Sequence, residues 1–272
     1  MEQNKANQSS ELQRYSITTA KFKWLLLIMI AVVVGLYTLA VYQTDAFPER
    51  VIEGLPIIFN FMVEDLFPPN WGYLNRVATS LLETWNMALI STTFSAILAL
   101  PLSMVAASNI NRNRLFYQIV RNFLNILRTV PEIILAVLFV ALVGIGSVSG
   151  ILALTVFSLG ILAKLVSETI EAVDPGPIDA IRASGGNTLQ VIVYGVMPQI
   201  LPQYASYTLY VLEINVKASV VLGFVGAGGI GIILQQQLKM FNYANVATIV
   251  FMTFLTITAI DLVSNRLRER LE

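Results

Sequence analysis

Apolar residues along this chain gather in long blocks separated by short polar stretches. Six blocks approach or exceed the roughly 20 residues that a membrane-crossing helix needs. They cover 24–42, 79–107, 117–143, 151–170, about 200–222 and 245–263, and they predict six spans. The second and third are longer than a bilayer requires, so each is expected to tilt or to extend beyond it. Between the first two blocks, residues 49–63 suit a short amphipathic helix on the outer surface. The sequence Phe67-Pro68-Pro69-Asn70-Trp71-Gly72 then supplies turn chemistry with an interfacial aromatic.

The one long polar interruption is 174–202, DPGPIDAIRASGGNTLQVIVYGVMPQILP. Asp174 can cap a helix, Pro175 and Pro177 suit its first turn, and Gly185 with Gly186 can end it in the left-handed conformation. Ile178 and Ile181 share a face, so this is a short helix with a surface for a partner. Asn187 or Thr188 can cap a second helix, which Pro198 and Pro202 are expected to interrupt.

Composition narrows the class. Of 272 residues, 56% are hydrophobic and 12% charged, about half the charge of an ordinary soluble domain. The chain is therefore expected to be an all-α integral membrane protein: a cytoplasmic tail over 1–23, then one transmembrane domain over 24–272. The first block is too long for a signal peptide and no convincing cleavage site follows it, so it reads as a retained span. Seventeen basic and seventeen acidic residues cancel, which removes any case for bulk nucleic-acid binding. With no cysteine and no histidine, thiol chemistry, Cys/His metal sites and histidine bases are excluded, and no metal site is expected.

Short-loop charge sets the orientation. The N-terminal tail with Lys5, Arg14, Lys21 and Lys23, the loop with Arg112 and Arg114, and the end with Arg266, Arg268 and Arg270 are basic. Six spans put these on one side, the cytoplasm, together with 174–202. Residues 43–78, with Asp45, Glu49, Glu53, Glu64 and Asp65, fall outside.

Three ionisable pairs lie within or beside spans at a spacing of four: Arg128/Glu132, Lys164/Glu168 and Glu213/Lys217. Charges in a span are costly and default to function. Arg128, Glu132, Glu213 and Lys217, with Asn215 and Ser219, are candidates for a translocation pathway, and Lys164/Glu168 for an interfacial pair. The competing reading is a structural pair between packed helices. Gly226, Gly228 and Gly229, with Gly231, match G-x-G-x-x-G by letters. A nucleotide site is not expected there, because a βαβ unit and a suitably spaced acid are missing. A flexible gate at the outer mouth, formed by Gly226, Gly228 and Gly229, and a tight re-entrant turn are equal alternatives. No phosphate-binding loop occurs on the chain. Carboxylates Glu132 and Glu213 leave an intramembrane enzyme as a remote option, each having a basic neighbour and no metal or nucleophile cluster.

The polar stretch resembles the signature loop of ABC-importer permeases, E-A-A, three residues, Gly, nine residues, I-x-L-P. The matching positions are Asp179, Ala180, Ile181, Gly185, Gly195, Met197 and Pro198; spacing is kept, and the residue type departs at 179, 181, 195 and 197. With DPGPIDAIRASGGN, YGVMPQILP, GFVGAGGIG and the span order, residues 77–268 are similar to the phosphonate permease family. The resemblance implies a type I ABC-importer permease of the bacterial cytoplasmic (inner) membrane, multi-pass, both termini cytoplasmic. It implies a homodimer, two cytoplasmic ATPase subunits carrying ATP and Mg, an extracytoplasmic binding protein, and no cofactor on this chain. The cargo would be phosphonate, phosphite or phosphate, with an amino acid or osmolyte as the alternative. Pro177, Asp179, Ala180, Ala183, Gly185, Gly186 and Pro198 would form the ATPase-coupling element.

Overall fold

A computed structural model describes residues 20–111 and 113–271, so most of the N-terminal tail, and Arg112, lie outside the described residues. Contacts divide the chain into two units, Met1–Met62 and Val63–Glu272; the boundary expected at 23/24 falls inside the first. That unit holds α1 (Ala20–Thr44) and α2 (Pro48–Asn60), the latter continuing into a π-helical turn, Phe61–Leu66. α1 is apolar on every face and exposed along its length, as a lipid-immersed helix should be. α2 is amphipathic, in the region expected to carry such a helix.

In the second unit, which takes in most of that π-helical turn, the 3₁₀ turn Trp71–Tyr73 comes before the long helices. It contains α3 (Leu74–Val105), α4 (Arg114–Thr129), α5 (Glu132–Val143), α6 (Ser147–Glu171), α7 (Pro175–Ala183), α8 (Met197–Leu222), α9 (Ile230–Lys239) and α10 (Tyr243–Arg268). Among the described residues there is no strand. Five helices are long and apolar enough to cross a membrane, or six if the bent pair α4–α5 counts as one span.

The third block departs from expectation. It is two helices meeting at 91°, because Pro131 holds the residue before it extended (Val130 ψ 118°). At 12 residues, α5 reaches only about 18 Å, too short to span alone. The pair nevertheless follows α6 from end to end. Arg121 meets Glu171 at the C-terminus of α6, and Leu127 and Arg128 abut Gly160. Leu135 and Ala136 pack with Ala153 and Leu154, and the chain then turns directly into Ser147. Bent this sharply, the pair has the form of a broken span or of a re-entrant loop.

The prolines of the polar stretch behave differently from expectation too. Pro198 and Pro202 do not interrupt the second helix, which runs from Thr188 to Val225 without a break. Pro198 follows directly on a wide π-helical turn, Val191–Val196, at the start of α8, an irregularity in the ladder of the kind that accommodates a proline ring.

α6 is the hub against which α3, α4, α5 and α8 pack. α3 presents Ser80, Thr84, Ala88, Ser91, Ser95, Ala99 and Ser103, buried at intervals of three or four. α6 buries small residues of its own, Ser149, Gly150, Ala153, Ala163 and Ser167, and Gly160 where α4 crosses it. Small residues at this spacing let helix backbones approach closely, the usual adhesive between helices in lipid. At Gly150 a methyl group would lie 2.2 Å from the Ala227 carbonyl oxygen and 2.4 Å from Met87 Cε. Gly150→Val is therefore expected to destabilise the fold by about 1–3 kcal/mol through overpacking, read as a lower melting temperature in detergent. Gly35→Ala, where nothing lies within 4 Å of the added methyl, should leave that temperature unchanged.

Candidate functional site

The polar stretch folds into a rigid elbow. The Asp174 carboxylate accepts from Gly176 N–H at 2.9 Å, and Pro175 opens α7. At the other end Gly185 N–H donates to Arg182 O (3.0 Å) and Gly186 N–H to Ile181 O (2.9 Å). This is the paired ending that needs a left-handed residue, and Gly185 supplies it with φ 85°. Asn187 then forms a reciprocal capping box with Gln190, at 2.9 and 2.8 Å.

The apolar face of α7 points inward. Ile178 is buried and Ile181 partly so, and both rest on Gly195, where an added methyl would come within 3.4 Å of each. The face expected to meet a partner thus packs on its own chain. What α7 offers outward is Pro177, Asp179, Ala180 and Ala183, all exposed; Pro198 lies within the adjoining helix.

Two tethers hold the elbow. Gln199 accepts from Asp174 N–H at 3.0 Å and donates to Gly195 O at 2.7 Å. Arg182 donates to Asn109 O at 3.3 Å, and Asn109 in turn donates to Ile170 O at 2.6 Å. Beside them Glu171 accepts from Ser108 N–H at 2.9 Å, and its two oxygens accept from Arg121 at 2.9 and 3.2 Å. One carboxylate thus joins α6, α4 and the loop after α3.

The pathway candidates separate into three groups. Arg128 and Glu132 do not share a helix face, because the break at Pro131 falls between them; Arg128 is exposed and Glu132 partly buried. Asn215 and Ser219 are fully buried. Asn215 bridges Ser158 (2.7 Å) and Thr92 (2.9 Å), and Ser219 bonds its own helix at Val216 O, so both sit between helices rather than on an open face. Glu213 and Lys217 do pair, at 2.7 Å, but within a larger cluster. Lys217 also meets Asp261 at 3.2 Å, and Arg268 meets Glu213 at 3.0 Å, joining α8 to α10. Sequence reading passed over Asp261 and Arg268 as partners; an acid inside the apolar run TAIDLV was the available signal, since such a group requires a counter-charge. Lys164 and Glu168 pair at 3.1 Å.

At the opposite end of α8, Gly226, Gly228 and Gly229 all have positive φ. Gly226 is left-handed at φ 85°. Its N–H donates to Gly223 O at 3.0 Å, and its own carbonyl accepts from Gly146 N–H at 2.9 Å, so both backbone groups of Gly226 are committed to fixed neighbours. A methyl on Gly226 would lie 3.4 Å from Ile145 Cγ2, one on Gly228 2.7 Å from Ser147 Cα, and one on Gly229 2.7 Å from Thr84 Oγ1. Glu83, unnoticed in the sequence, accepts from Ser147 Oγ (2.5 Å) and Gly229 N–H (3.2 Å). Its charge sits where α6 and α9 begin, favourable for both helix dipoles. The backbones of Gly226, Gly228 and Gly229 are thus hydrogen-bonded or closely packed against α3 and the start of α6 in this conformation, the arrangement of a tight turn.

Against this geometry the comparisons are specific. Residues 99–272 match the family described as "Binding-protein-dependent transport system inner membrane component". The chain belongs to that family. It is thus a multi-pass membrane component of a transport system and not an enzyme. It is 37% identical over 237 residues to a putative phosphite transport system permease protein, HtxC, of Stutzerimonas stutzeri, covering 87% of this chain and 84% of that one. It is 36% identical over 247 residues to the phosphite transport system permease protein PtxC of the same organism, covering 90% of each. Among solved structures it is similar to a chain of the inward-facing MetNI methionine ABC transporter. The TM-score is 0.67 at 25% identity, over 75% of this chain and 99% of that one. The permease fold is that of a type I ABC importer.

The four-charge cluster generates a test of how the permease holds α10. Glu213→Gln and Arg268→Gln are expected to be non-additive, with a coupling of about 1–3 kcal/mol in a double-mutant cycle of detergent unfolding. Strict additivity would mean that the contact contributes nothing.

Proposed function

We propose that the permease carries phosphite or a related phosphorus oxyanion, phosphonate or phosphate, into the cell by alternating access. The observation that carries this reading is the similarity, over nearly the whole length, to two permeases named for phosphite transport. In this reading two copies of the chain enclose the path, two cytoplasmic ATPase subunits with ATP and Mg drive it, and an extracytoplasmic binding protein delivers the cargo. Both termini lie in the cytoplasm, as the basic loops require of six spans. An amino-acid cargo is the second reading, favoured by the likeness to a methionine transporter.

The elbow has the properties of a coupling device. Its outward face is small and lightly charged (Pro177, Asp179, Ala180, Ala183), so another protein's groove can approach its backbone. Its inward face and both ends are fastened to the long helices, so displacement of α7 moves them with it. Gly185 and Gly186 keep the elbow tight. Of the pathway candidates, Arg128 and Lys217 retain exposed cationic character suited to an oxyanion. Lys217, held by two carboxylates, would bind an anion weakly, as a path must if cargo is to leave.

Two measurements test the reading. Proteoliposomes holding the permease with its ATPase and binding protein should take up labelled phosphite, phosphonate or phosphate; uptake of an amino acid alone would overturn the assignment. Gly185→Val forces a β-branched residue into the left-handed region at a site with no atom within 4 Å. It is expected to leave membrane levels intact while uptake per ATP hydrolysed falls at least tenfold. Uptake equal to wild type would remove the elbow from the coupling path.

A further inference from the structure

α4 carries three distinct stripes. Tyr117, Val120, Leu124 and Leu127, at intervals of three, four and three, are buried or partly buried, Val120 and Leu124 in the core cluster that includes α6 residues. Leu115, Ile119, Phe123 and Ile126, at intervals of four, four and three, are exposed and apolar, as lipid requires. Gln118, Asn122, Asn125 and Thr129, at intervals of four, three and four, are exposed and polar. Gln118 donates to Asn122 at 3.2 Å along that stripe. The two exposed stripes lie side by side on one helix, so a single environment cannot suit both.

The depth of the polar stripe makes this a constraint. The helix starts beside the polar elbow and ends with Leu127 and Arg128 against Gly160. That is eleven residues along α6 from Glu171, or about 16 Å into the bundle. Gln118 and Asn122 flank Arg121, near the rim where it meets Glu171, and Thr129 donates to Ile126 O at 2.8 Å; the Asn125 amide, one turn further in than Asn122, would forfeit its hydrogen bonds if it faced hydrocarbon. Past Pro131 the character changes abruptly: α5, EIILAVLFVALV, has no polar side chain beyond Glu132.

We infer that Gln118, Asn122, Asn125 and Thr129 line a water-filled vestibule that opens to the cytoplasm and closes at the Pro131 break, with exposed Arg128 at its inner end. The inference rests on the transport reading and adds the residues that meet the cargo on its way out. Neutral amides donate hydrogen bonds to a tetrahedral oxyanion without holding it as an ion pair would, and one cation at the inner end marks where the anion is gathered. The ladder is a release path rather than a binding site.

The chain contains no cysteine, so single replacements report one position at a time. Cysteine is placed at 118, 122, 125 and 129, and for comparison at 115, 119 and 123, in the full chain assembled with its ATPase in inside-out membrane vesicles. A membrane-impermeant maleimide should label the polar positions at least tenfold faster than the apolar ones. Trapping the ATPase with ATP and vanadate should slow labelling at 125 and 129 at least fivefold. Equal labelling of the two stripes, or none on the polar one, overturns the vestibule. Fast labelling indifferent to nucleotide also overturns it, since α4 would then lie on the membrane surface. Where a replacement lowers assembly, judged by size-exclusion profile, uptake by Asn125→Leu is the second readout; a loss of at least fivefold is expected, and unchanged uptake counts against the vestibule. Labelling does not depend on which cargo is carried, so a wrong cargo assignment leaves the stripe pattern intact while the phosphorus-oxyanion uptake assay alone fails.

Discussion

Where water is excluded, apolar burial no longer drives helices together, and contact must come from how closely backbones can approach. In this permease that condition is met along α6. Its small residues meet a row of small residues on α3 on one side and α4 on another, and Gly150, against Met87 and Ala227, and Gly160, against Leu127 and Arg128, sit so tightly that a methyl at either would enter a neighbour's contact distance. The bent segment α4–α5, α8 and the glycine turn are all arranged on α3 and α6. Had α6 carried leucine at those places, the Ala227 turn could not sit over its N-terminus and α4 could not lie against its middle.

The same medium dictates the polar contacts, which run from one helix to another. Asn215 serves Thr92 and Ser158, Glu83 collects the starts of two helices, and Glu213, Lys217, Asp261 and Arg268 neutralise one another. These contacts fix which helix neighbours which, a task that interchangeable apolar surfaces perform poorly. On α4, by contrast, Gln118, Asn122, Asn125 and Thr129 stay exposed.

Much of this was legible in one dimension. Block hydropathy located five of the apolar helices but began two of them late, at 79 and about 200 where the helices open at Trp71 and Thr188, and the elbow was readable residue by residue because capping and termination are local chemistry: Asp174, Pro175, Gly185 and Asn187 each do what their side chains dictate. What stayed hidden was set by tertiary partners. The 91° bend in the third block was masked by uniform hydropathy across Pro131. Asn215 resembles a lining residue because sequence does not reveal which side of a span is packed. Gly226 reads equally well as hinge or as turn, and the contacts of Gly146 and Ile145 against it lie beyond local sequence. Asp261 and Glu83 find partners 44 and 146 residues away, beyond any local rule. The stripe on α4 was present in the spacing all along, obscured by treating 117–143 as one apolar block.

The elbow's two tethers bear on how force can travel. A short helix fastened at one end only would swing, and the motion would be dissipated in its own loop. α7 is pinned through Gln199 to α8 at its start and through Arg182 to the loop after α3 near its finish, while Glu171 ties that loop to α4 and α6. Such a piece has no free pivot. A sideways load on it would be shared as shear among four helices at once, in the manner of a wedge rather than a crank.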